Sequence, residues 1–350
     1  MDSSPIALSG LSCGELTALL GTATATETAL PSFRAKQIFR WIRNGAHSFD
    51  EMTDLPLDLR SDLTGRFSVY TSAVSLRLDD PDGTVKLQLR LHDGAKIESV
   101  LLSDGEGRRT ACLSTQAGCA MGCVFCKTGT LGLKRNLNSA EITEQFFHLR
   151  SLYPDIANIV IMGMGEPLLN LGELRRALAV FTDSVGQSIG LSARRITVST
   201  CGIIDGIRDL ADNGPPLHLA VSLTSADSAL RERLMPVSRA NPLSGLKQAL
   251  SYYQKKTGER LTLEAVLLGG INTRYENARS LARFASGLNA MVNVIPWNPV
   301  EGLMFEGNAL TEPSTAETAR FTADLEKFGV KVTRRLKKGR AVTGACGQLG

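Results

Sequence analysis

The first part of the chain shows a helical spacing of apolar positions. In the stretch "FRAKQIFRWIRNG", apolar residues recur every few positions from Phe33 to Ile42, and the pattern stops at Gly45. Apolar residues three and four positions apart fall on one face of a helix, and glycine often follows a helix end. We therefore predict a small helical domain over residues 1–70.

A strand pattern replaces the helical one after residue 70. The stretch "GTVKLQLRLHDGAKIESVLLS" alternates apolar and polar residues from Val85 to Leu91, turns at "HDG" and continues with a second strand. Alternation with a period of two is typical of a half-buried strand, and a short turn with glycine between two such runs indicates a β-hairpin. We assign residues 71–109 to a β-hairpin linker.

From about residue 110, short apolar strands alternate with amphipathic segments. The strand candidates are "TACLS", "ANIVIMG", "RITVST", "LHLAVSL", "LTLEAVLL" and "MVNVIPW", and the helix candidates include "SAEITEQFFHLRSLY" and "YENARSLARFASGL". This alternation predicts parallel β/α units. The predicted fold class is α/β, a partial (β/α)6 barrel over residues 110–330, followed by a basic C-terminal tail over residues 331–350. In parallel barrels the active site lies at the carboxyl ends of the strands.

Composition sets only broad limits. The 350 residues are 43% hydrophobic and carry a formal net charge of +4, so one large core is possible and no polyanionic partner is required. No apolar run approaches the roughly 20 residues that span a bilayer. The first 33 residues contain no Lys or Arg, whereas a secretory signal begins with a basic segment. We expect a soluble, cytoplasmic monomer without a membrane segment.

The charge is unevenly distributed. The segment "KVTRRLKKGR", residues 331–340, carries six basic residues and no acidic one. Such a run is typical of a solvated surface, and it also suits contacts with nucleic-acid phosphates.

Cysteine clustering is the strongest chemical signal. Cys112 and the trio Cys119, Cys123 and Cys126 make up four of the seven cysteines, and the trio has C-x3-C-x2-C spacing after the first predicted barrel strand. Clustered cysteines in a long chain indicate metal binding or thiol chemistry. Three thiolates on a four-iron cluster leave one iron open to a small molecule. The alternative is a structural zinc ion with Cys112 as the fourth ligand.

Six motifs in register carry a family resemblance. They are "CLSTQAGCAMGCVFC", "LKRNL", "IMGMGEPLLN", "ITVSTCG", "IPWNP" and "ACGQL". The trio spacing within a β/α barrel resembles the radical S-adenosylmethionine (SAM) superfamily. The whole set, with a match that extends from about Phe33 to Gly350, resembles the RlmN family, whose members methylate adenine C2 in 23S rRNA and in tRNA.

The resemblance implies a cofactor set and a pair of catalytic cysteines. The trio would bind a [4Fe-4S] cluster whose open iron holds SAM, and two SAM molecules would be used per turnover. Cys346 would take a methyl group from one SAM, and a 5′-deoxyadenosyl radical from the other would activate that methyl group for addition to adenine C2. Cys112, as an accessible thiolate, would then remove the C2 proton and form a transient disulfide with Cys346.

Further site residues carry over by motif. The residues that resemble SAM contacts are Gly165, Glu166, Ser199, Ser222, Leu223, Thr224 and Asn298. Relatives commonly carry His where Thr224 stands, so this contact departs from the family pattern. Glu98, in "KIESVLL", stands where the family places a carboxylate proposed as a proton acceptor, although its strand context also suits an exposed edge residue. Cys13 and Cys201 match no functional motif and are expected to be structural.

The resemblance also implies partners. The substrates would be 23S rRNA at the peptidyl-transferase centre and tRNA at the adenosine 3′ of the anticodon, with a donor such as flavodoxin and its reductase for electrons. The target base must be unpaired or flipped out. Besides the basic segment, the residues expected to contact RNA are Lys127, Lys134, Arg135, Arg34, Lys36, Arg40 and Arg43.

Two other functions fit parts of the pattern. A Cfr-type relative shares the cysteines but methylates adenine C8, and "GMGEPLLN" and "IPWNP" resemble the C2 enzymes more closely. A zinc-stabilised RNA-binding protein without catalysis would contain no iron and would be colourless.

Overall fold

The computed structural model describes residues 6–22, 30–104, 106–184, 190–335 and 337–350. The helices in these ranges are α1 (Cys13–Thr22), α2 (Ser32–Arg43), α3 (Leu57–Arg66), α4 (Lys127–Thr130), α5 (Ser139–Leu152), α6 (Leu171–Thr182), α7 (Ile204–Asn213), α8 (Ser228–Leu234), α9 (Leu243–Thr257), α10 (Tyr275–Ala285) and α11 (Thr315–Lys327).

The strands are short. They are β1 (Ile6–Ala7), β2 (Phe67–Ser68), β3 (Ala73–Asp79), β4 (Val85–Arg90), β5 (Lys96–Ser103), β6 (Arg109–Cys112), β7 (Gln116–Cys119), β8 (Gly132–Asn136), β9 (Ile156–Ile161), β10 (Ile196–Thr200), β11 (His218–Ser222), β12 (Leu261–Leu267), β13 (Ala290–Pro296), β14 (Met304–Phe305), β15 (Asn308–Ala309) and β16 (Val332–Arg334).

A ten-stranded sheet organises the described part of the chain. Its order is β16-β13-β12-β11-β10-β9-β6-β5-β4-β3. Within this sheet β6, β9, β10, β11, β12, β13 and β16 are parallel, and β3, β4 and β5 extend it in antiparallel pairing. β7 with β8 and β14 with β15 form separate antiparallel pairs. Consecutive parallel strands are neighbours and are joined by helices, so their carboxyl ends meet at one edge. The six predicted barrel strands and the predicted hairpin are confirmed.

Two strands of this ten-stranded sheet were missed by sequence analysis. β16 lies inside the predicted tail and pairs with β13, and β3 pairs with β4. β16 has three residues, and β3 is exposed along nearly its whole length. β16 is too short to show a pattern and is defined by its pairing with β13. β3, in contrast, alternates Val74, Leu76 and Leu78 with polar residues, a strand signal that our sequence analysis did not use.

The N-terminal helices share one hydrophobic core with the barrel. Ile38 and Phe39 of α2 belong to the same buried cluster as Phe146 and Phe147 of α5 and the barrel strands. α5 is buried along almost its entire length, and Asn138 caps its first turn by accepting a hydrogen bond from Glu141 N at 2.9 Å. The domain boundaries that we assigned from the sequence stay predictions. No helix in the described ranges is long and apolar enough to cross a membrane.

Candidate active site

A cavity of about 220 Å³ opens at the carboxyl edge of the parallel strands. Cys112 and Ser222, the last residues of β6 and β11, line it, as do Ser199 near the end of β10 and Pro296 at the end of β13. Arg335, which follows β16, lines it from the side. The ends of five strands therefore surround one space, where a parallel barrel places its active site.

Six of the seven cysteines line this cavity: Cys112, Cys119, Cys123, Cys126, Cys201 and Cys346. All seven are free thiols. The tertiary structure thus brings the trio together with Cys112 and with Cys346, which lies 234 residues further along the chain (346 minus 112). That Cys201 is structural stays a prediction; it is buried, and it also lines this cavity.

The loop that carries the trio is held by contacts with three other parts of the fold. Val124 N donates a hydrogen bond to Leu234 O at 3.1 Å, at the end of α8. The indole of Trp297 donates to Phe125 O at 2.8 Å. Lys127 N, directly after the trio, donates to Gly347 O at 2.8 Å. The loop is therefore fixed by the barrel on one side and by the tail residue next to Cys346 on the other.

The surroundings of the trio disfavour the thiolate form of its three sulfurs. Burial raises the pKa of Cys119 to about 11 and also raises the pKa values of Cys123 and Cys126. Mutual repulsion adds to this effect, because Cys126 faces both other members of the trio. Since thiolates are the metal ligands, a cation must displace these protons when it binds.

The donor set fits a cluster with a bound small molecule better than a single zinc ion. A zinc ion with Cys112 as its fourth ligand would need all four sulfurs around one ion, and within the described residues no three His, Cys, Asp or Glu side chains are gathered closely enough for that. A four-iron cluster takes each thiolate on a separate iron and so accepts a wider spacing. Across the cavity, Asn298 Oδ1 is buried and has no hydrogen-bond partner. An unpaired acceptor in such a place suits a ligand with N–H or O–H donors, such as the amino group of SAM.

Gly165 and Glu166 form the wall after β9. Gly165 has φ +102°, and a Cβ there would lie 2.5 Å from Gln116 Cβ, so only glycine fits this close approach. Glu166 is 3% exposed, and its carboxylate accepts hydrogen bonds from Cys201 N at 2.7 Å and Leu168 N at 3.0 Å. Burial raises its pKa, although these donors oppose the shift.

An unpredicted ion-pair network lies on the opposite side of the cavity. Glu264 in β12 accepts a hydrogen bond from Ser199 Oγ at 3.1 Å and pairs with the Arg335 guanidinium at 3.6 Å. Proximity to Cys346 raises the pKa of Arg335, against the effect of burial. The sequence held one signal for Glu264, a single carboxylate inside the apolar strand "LTLEAVLL". Arg335 has no separate signal in the sequence, because it is one of six basic residues in the segment 331–340.

Arg231 was also missed. Its side chain is 0% exposed and donates hydrogen bonds to Leu223 O at 2.8 Å and to Cys201 O at 2.7 Å. It therefore joins the segments that follow β10 and β11, behind the trio loop. Burial lowers its pKa to about 10, and the nearby Cys201 and Cys123 oppose that shift.

Cys112 is less accessible than we expected. It is 7% exposed, and burial raises its pKa to about 12, with the Arg335 guanidinium acting in the opposite direction. Cys112 is therefore a buried thiol here, and the expected accessible thiolate is not observed. Cys346 is half-buried and its carbonyl accepts a hydrogen bond from Asn298 Nδ2 at 3.2 Å. No disulfide joins the two.

Three of the residues identified from the sequence lie outside the cavity lining. Leu223 is fully buried, and Thr224 has φ +55° with a buried hydroxyl that lacks a hydrogen-bond partner. Glu98 is not an exposed edge residue, because it is 6% exposed in the interior strand β5. Its carboxylate pairs with Lys86 at 3.1 Å and accepts a hydrogen bond from Gly350 N at 3.0 Å.

The basic residues differ in availability. Lys337 and Lys338 line the cavity, although Lys337 also pairs with Glu312, as does Arg340. The expected solvated run therefore lies partly inside the fold. Arg43 is 3% exposed and donates a hydrogen bond to a backbone carbonyl, so its side chain is not available for contact with RNA.

Other expected RNA contacts are also engaged. Arg135 pairs with the buried Glu141 at 2.7 Å, and Arg40 pairs with Asp54 at 2.8 Å. Lys36 and Lys134 are exposed.

Comparisons with known proteins agree with this geometry. Residues 113–282 match the model of the radical SAM superfamily, and residues 8–69 match that of the ribosomal RNA large subunit methyltransferase N-terminal domain. A probable dual-specificity RNA methyltransferase RlmN of Treponema denticola is 47% identical over 91% of this chain and 90% of its own length. The dual-specificity RNA methyltransferase RlmN of Nitratidesulfovibrio vulgaris is 43% identical over 91% of this chain and 88% of its own.

A solved structure extends the similarity to the whole fold. The crystal structure of a radical SAM methyltransferase from Sphaerobacter thermophilus has a TM-score of 0.91 and 38% identity, and the match covers 99% of each chain. The predicted fold class is confirmed, and the non-catalytic zinc protein is excluded as an interpretation. Radical SAM proteins use a [4Fe-4S] cluster and SAM, and the cavity residues fit both. The chain belongs to the RlmN family of radical SAM RNA methyltransferases.

Proposed function

We propose that this enzyme methylates C2 of adenosine in 23S rRNA, at the peptidyl-transferase centre, and C2 of the adenosine 3′ of the anticodon in tRNA. Support for RNA as the substrate comes from the relatives, which are described as dual-specificity RNA methyltransferases. The match of residues 8–69 to an N-terminal domain of ribosomal RNA methyltransferases supports it further.

One observation carries the proposed mechanism. Cys112 and Cys346 line the same cavity as the trio Cys119, Cys123 and Cys126. A metal centre alone needs only the trio, so two further thiols from distant parts of the chain indicate thiol chemistry beside it. The Arg335 guanidinium lies near both of them, and its charge opposes the effect of burial on the pKa of Cys112.

The trio would hold the [4Fe-4S] cluster, and Glu166, Ser199, Ser222 and Asn298 would contact SAM. When bound, these cofactors supply one methyl group and the carbon radical that removes a hydrogen atom from it, so two SAM molecules are used per turnover. The protein encloses this chemistry in a cavity of about 220 Å³, which limits access of water.

Cys346 carries the methyl group, and Cys112 releases the product. The thiolate of Cys346 attacks the methyl carbon of SAM, displaces S-adenosylhomocysteine and becomes S-methylcysteine. After the methylene carbon has bonded to adenine C2, Cys112 takes the C2 proton. With the unpaired electron of the adduct returned to the iron centre that the trio would hold, the sulfur of Cys112 attacks the sulfur of Cys346 and breaks the sulfur–carbon bond. The freed carbon takes up a proton to complete the methyl group, and a disulfide is left for external thiols to reduce. Both cysteines are needed, because neither sulfur can resolve the adduct alone.

RNA must present a single extruded base to this cavity. The target carbon cannot be reached within a stacked helix, and Lys337 and Lys338 at the cavity supply charges for the flanking phosphates. A flavodoxin-type donor and the proton-acceptor role of Glu98 remain parts of the proposal.

The test is covalent trapping. In Cys112→Ala, the adduct forms and cannot be resolved, so we expect nuclease-sensitive RNA attached to Cys346 through a methylene bridge. Cys346→Ala should keep its iron yet form neither S-methylcysteine nor adduct. A fully active Cys346→Ala enzyme would refute the methyl-carrier role.

Mass spectrometry of RNA from a deletion strain decides the position. We expect 2-methyladenosine to disappear from one or both sites. Loss of 8-methyladenosine with unchanged 2-methyladenosine would favour the Cfr-type reaction instead.

A further inference from the structure

The segment that carries Cys346 lies against the antiparallel strands rather than free in solvent. From here on, the tail means residues 337–350, the described part of the predicted C-terminal segment that follows β16. These residues are hydrogen-bonded to the turn between β3 and β4. Asp82 Oδ2 accepts a hydrogen bond from Gly339 N at 2.8 Å. Asp80 Oδ2 accepts one from Ala341 N at 2.9 Å. The two carboxylates therefore hold consecutive parts of the tail backbone, upstream of Cys346.

Each carboxylate uses its second oxygen to shape its own turn. Asp80 Oδ1 accepts a hydrogen bond from Asp82 N at 3.0 Å, and Asp82 Oδ1 accepts one from Thr84 N at 2.9 Å. Asparagine has a single acceptor oxygen beside an NH2 group, so with that oxygen bonded to the turn it presents a donor, and not an acceptor, to the tail N–H. The choice of Asp over Asn at both positions is thus explained by the tail and not by the turn.

Packing supports the same contact independently. Gly339 has φ +70°, and a Cβ there would lie 2.8 Å from Thr84 Cγ2. Thr84 is 0% exposed, although it lies at the end of a surface turn. The tail therefore rests directly on the turn, and its first anchored residue must be glycine.

Further contacts follow on both sides of Cys346. Lys86 Nζ donates a hydrogen bond to Thr343 Oγ1 at 2.8 Å, and Gly347 O accepts one from Lys127 N at 2.8 Å. Cys346 thus stands five residues after the anchor at Ala341 and one residue before a contact with the trio loop.

We propose that Asp80 and Asp82 are positioning residues for Cys346, and that the β3–β4 turn serves as the anchor of the tail. This rests on the proposed function, in which Cys346 carries the methyl group. Five residues span at most about 18 Å when fully extended, so the anchor confines the thiol to the cavity region even when Cys346 moves between SAM, RNA and Cys112. Short tethers of this kind give effective concentrations in the millimolar range.

The structure offers a selective variant and a matched control. Asp80→Asn with Asp82→Asn keeps the turn and removes both acceptors of the tail. Asp104→Asn makes the same change in the turn between β5 and β6, where Asp104 Oδ1 accepts a hydrogen bond from Arg108 N at 2.8 Å and Oδ2 one from Arg108 Nε at 2.9 Å. That residue does not contact the tail.

The full-length, cluster-reconstituted proteins are compared by amide hydrogen exchange over residues 339–346 and by mass spectrometry of Cys346 methylation at varied SAM concentration. For the double variant we expect at least tenfold faster exchange and an at least tenfold lower maximal methylation rate. The SAM concentration for half-maximal rate and the iron content should equal those of wild type, and Asp104→Asn should match wild type throughout.

The outcomes separate this inference from the function on which it rests. Unchanged exchange, or faster exchange with a wild-type methylation rate, overturns the positioning role. Loss of iron in the double variant also overturns it, because the turn would then act on the trio. If wild type itself acquires no methyl group on Cys346, the proposed function fails, and the exchange data alone decide whether the turn anchors the tail.

Discussion

The buried ion pair between Lys86 and Glu98 gives the sharpest stability prediction. Their side chains are 7% and 8% exposed, and Lys86 Nζ lies 3.1 Å from Glu98 Oε1. Lys86→Met leaves the Glu98 carboxylate buried without its partner, and breaking a buried pair in this way costs about 3–5 kcal/mol. Replacement of both residues, in Lys86→Met with Glu98→Gln, should restore most of the loss, because no uncompensated charge remains.

The expected shift in melting temperature follows from chain length. Unfolding entropy is about 2.1 cal/mol/K per residue, which gives about 0.7 kcal/mol per degree for the 350 residues. The Lys86→Met variant should therefore melt about 4–7 °C below wild type in a thermal scan followed by circular dichroism.

An exposed pair of the same geometry is the control. Lys256 Nζ lies 3.1 Å from Asp212 Oδ1, but these side chains are 51% and 43% exposed. Exposed pairs contribute at most about 1 kcal/mol, so Lys256→Met should shift the melting temperature by about 1.5 °C or less. If Lys86→Met shifts it no further than this control, or if the double variant is no more stable than Lys86→Met, the reasoning is wrong.

Three further predictions concern the cysteines and pH. Replacing Cys119, Cys123 or Cys126 by Ala should abolish the iron chromophore, and full iron and sulfide in a triple variant would contradict the assignment. Burial raises the pKa of Cys112 to about 12. Alkylation of Cys112 by iodoacetamide in cluster-free protein at pH 8 should therefore be about three orders of magnitude slower than that of an ordinary thiol of pKa about 8.5. The alkylation rate should still rise about tenfold per pH unit up to pH 10, and a plateau near pH 9 would refute this. Burial lowers the pKa of His148 to about 4, so as pH falls the unfolded chain binds a proton at this residue before the folded chain does, and stability falls between about pH 6.5 and 4. In urea unfolding, the free energy of unfolding of wild type should fall by about 2 kcal/mol more than that of His148→Phe between pH 7 and 5. Equal losses in the two proteins would contradict this.

Local patterns were sufficient for the strands and helices that bury one face. The strand "LTLEAVLL" became β12 and "SAEITEQFFHLRSLY" became α5, because side-chain periodicity follows directly from backbone geometry. β16 was missed because it has only three residues and is defined by its pairing with β13. β3 was missed although its apolar and polar residues alternate.

The environment of each site residue depended on distant segments. The sequence showed that Cys112 is a cysteine near the trio, but its burial and raised pKa follow from the packing around it. Glu98 appeared as a candidate base in a strand, and only the fold shows that Lys86 and Gly350 occupy its carboxylate.

The sequence by itself determined which chemistry this protein can support, through the C-x3-C-x2-C trio, the repeated β/α units and the motifs that identify its family. These features are local, because ligand spacing and strand or helix periodicity are set within a few residues. Only the tertiary structure decided that Cys346 lines the same cavity as the trio, that Arg335 and Glu264 pair beside that cavity, and that Asp80 and Asp82 hold the tail. Such contacts join residues far apart in the chain, and they form only when burial of the shared core brings those segments together.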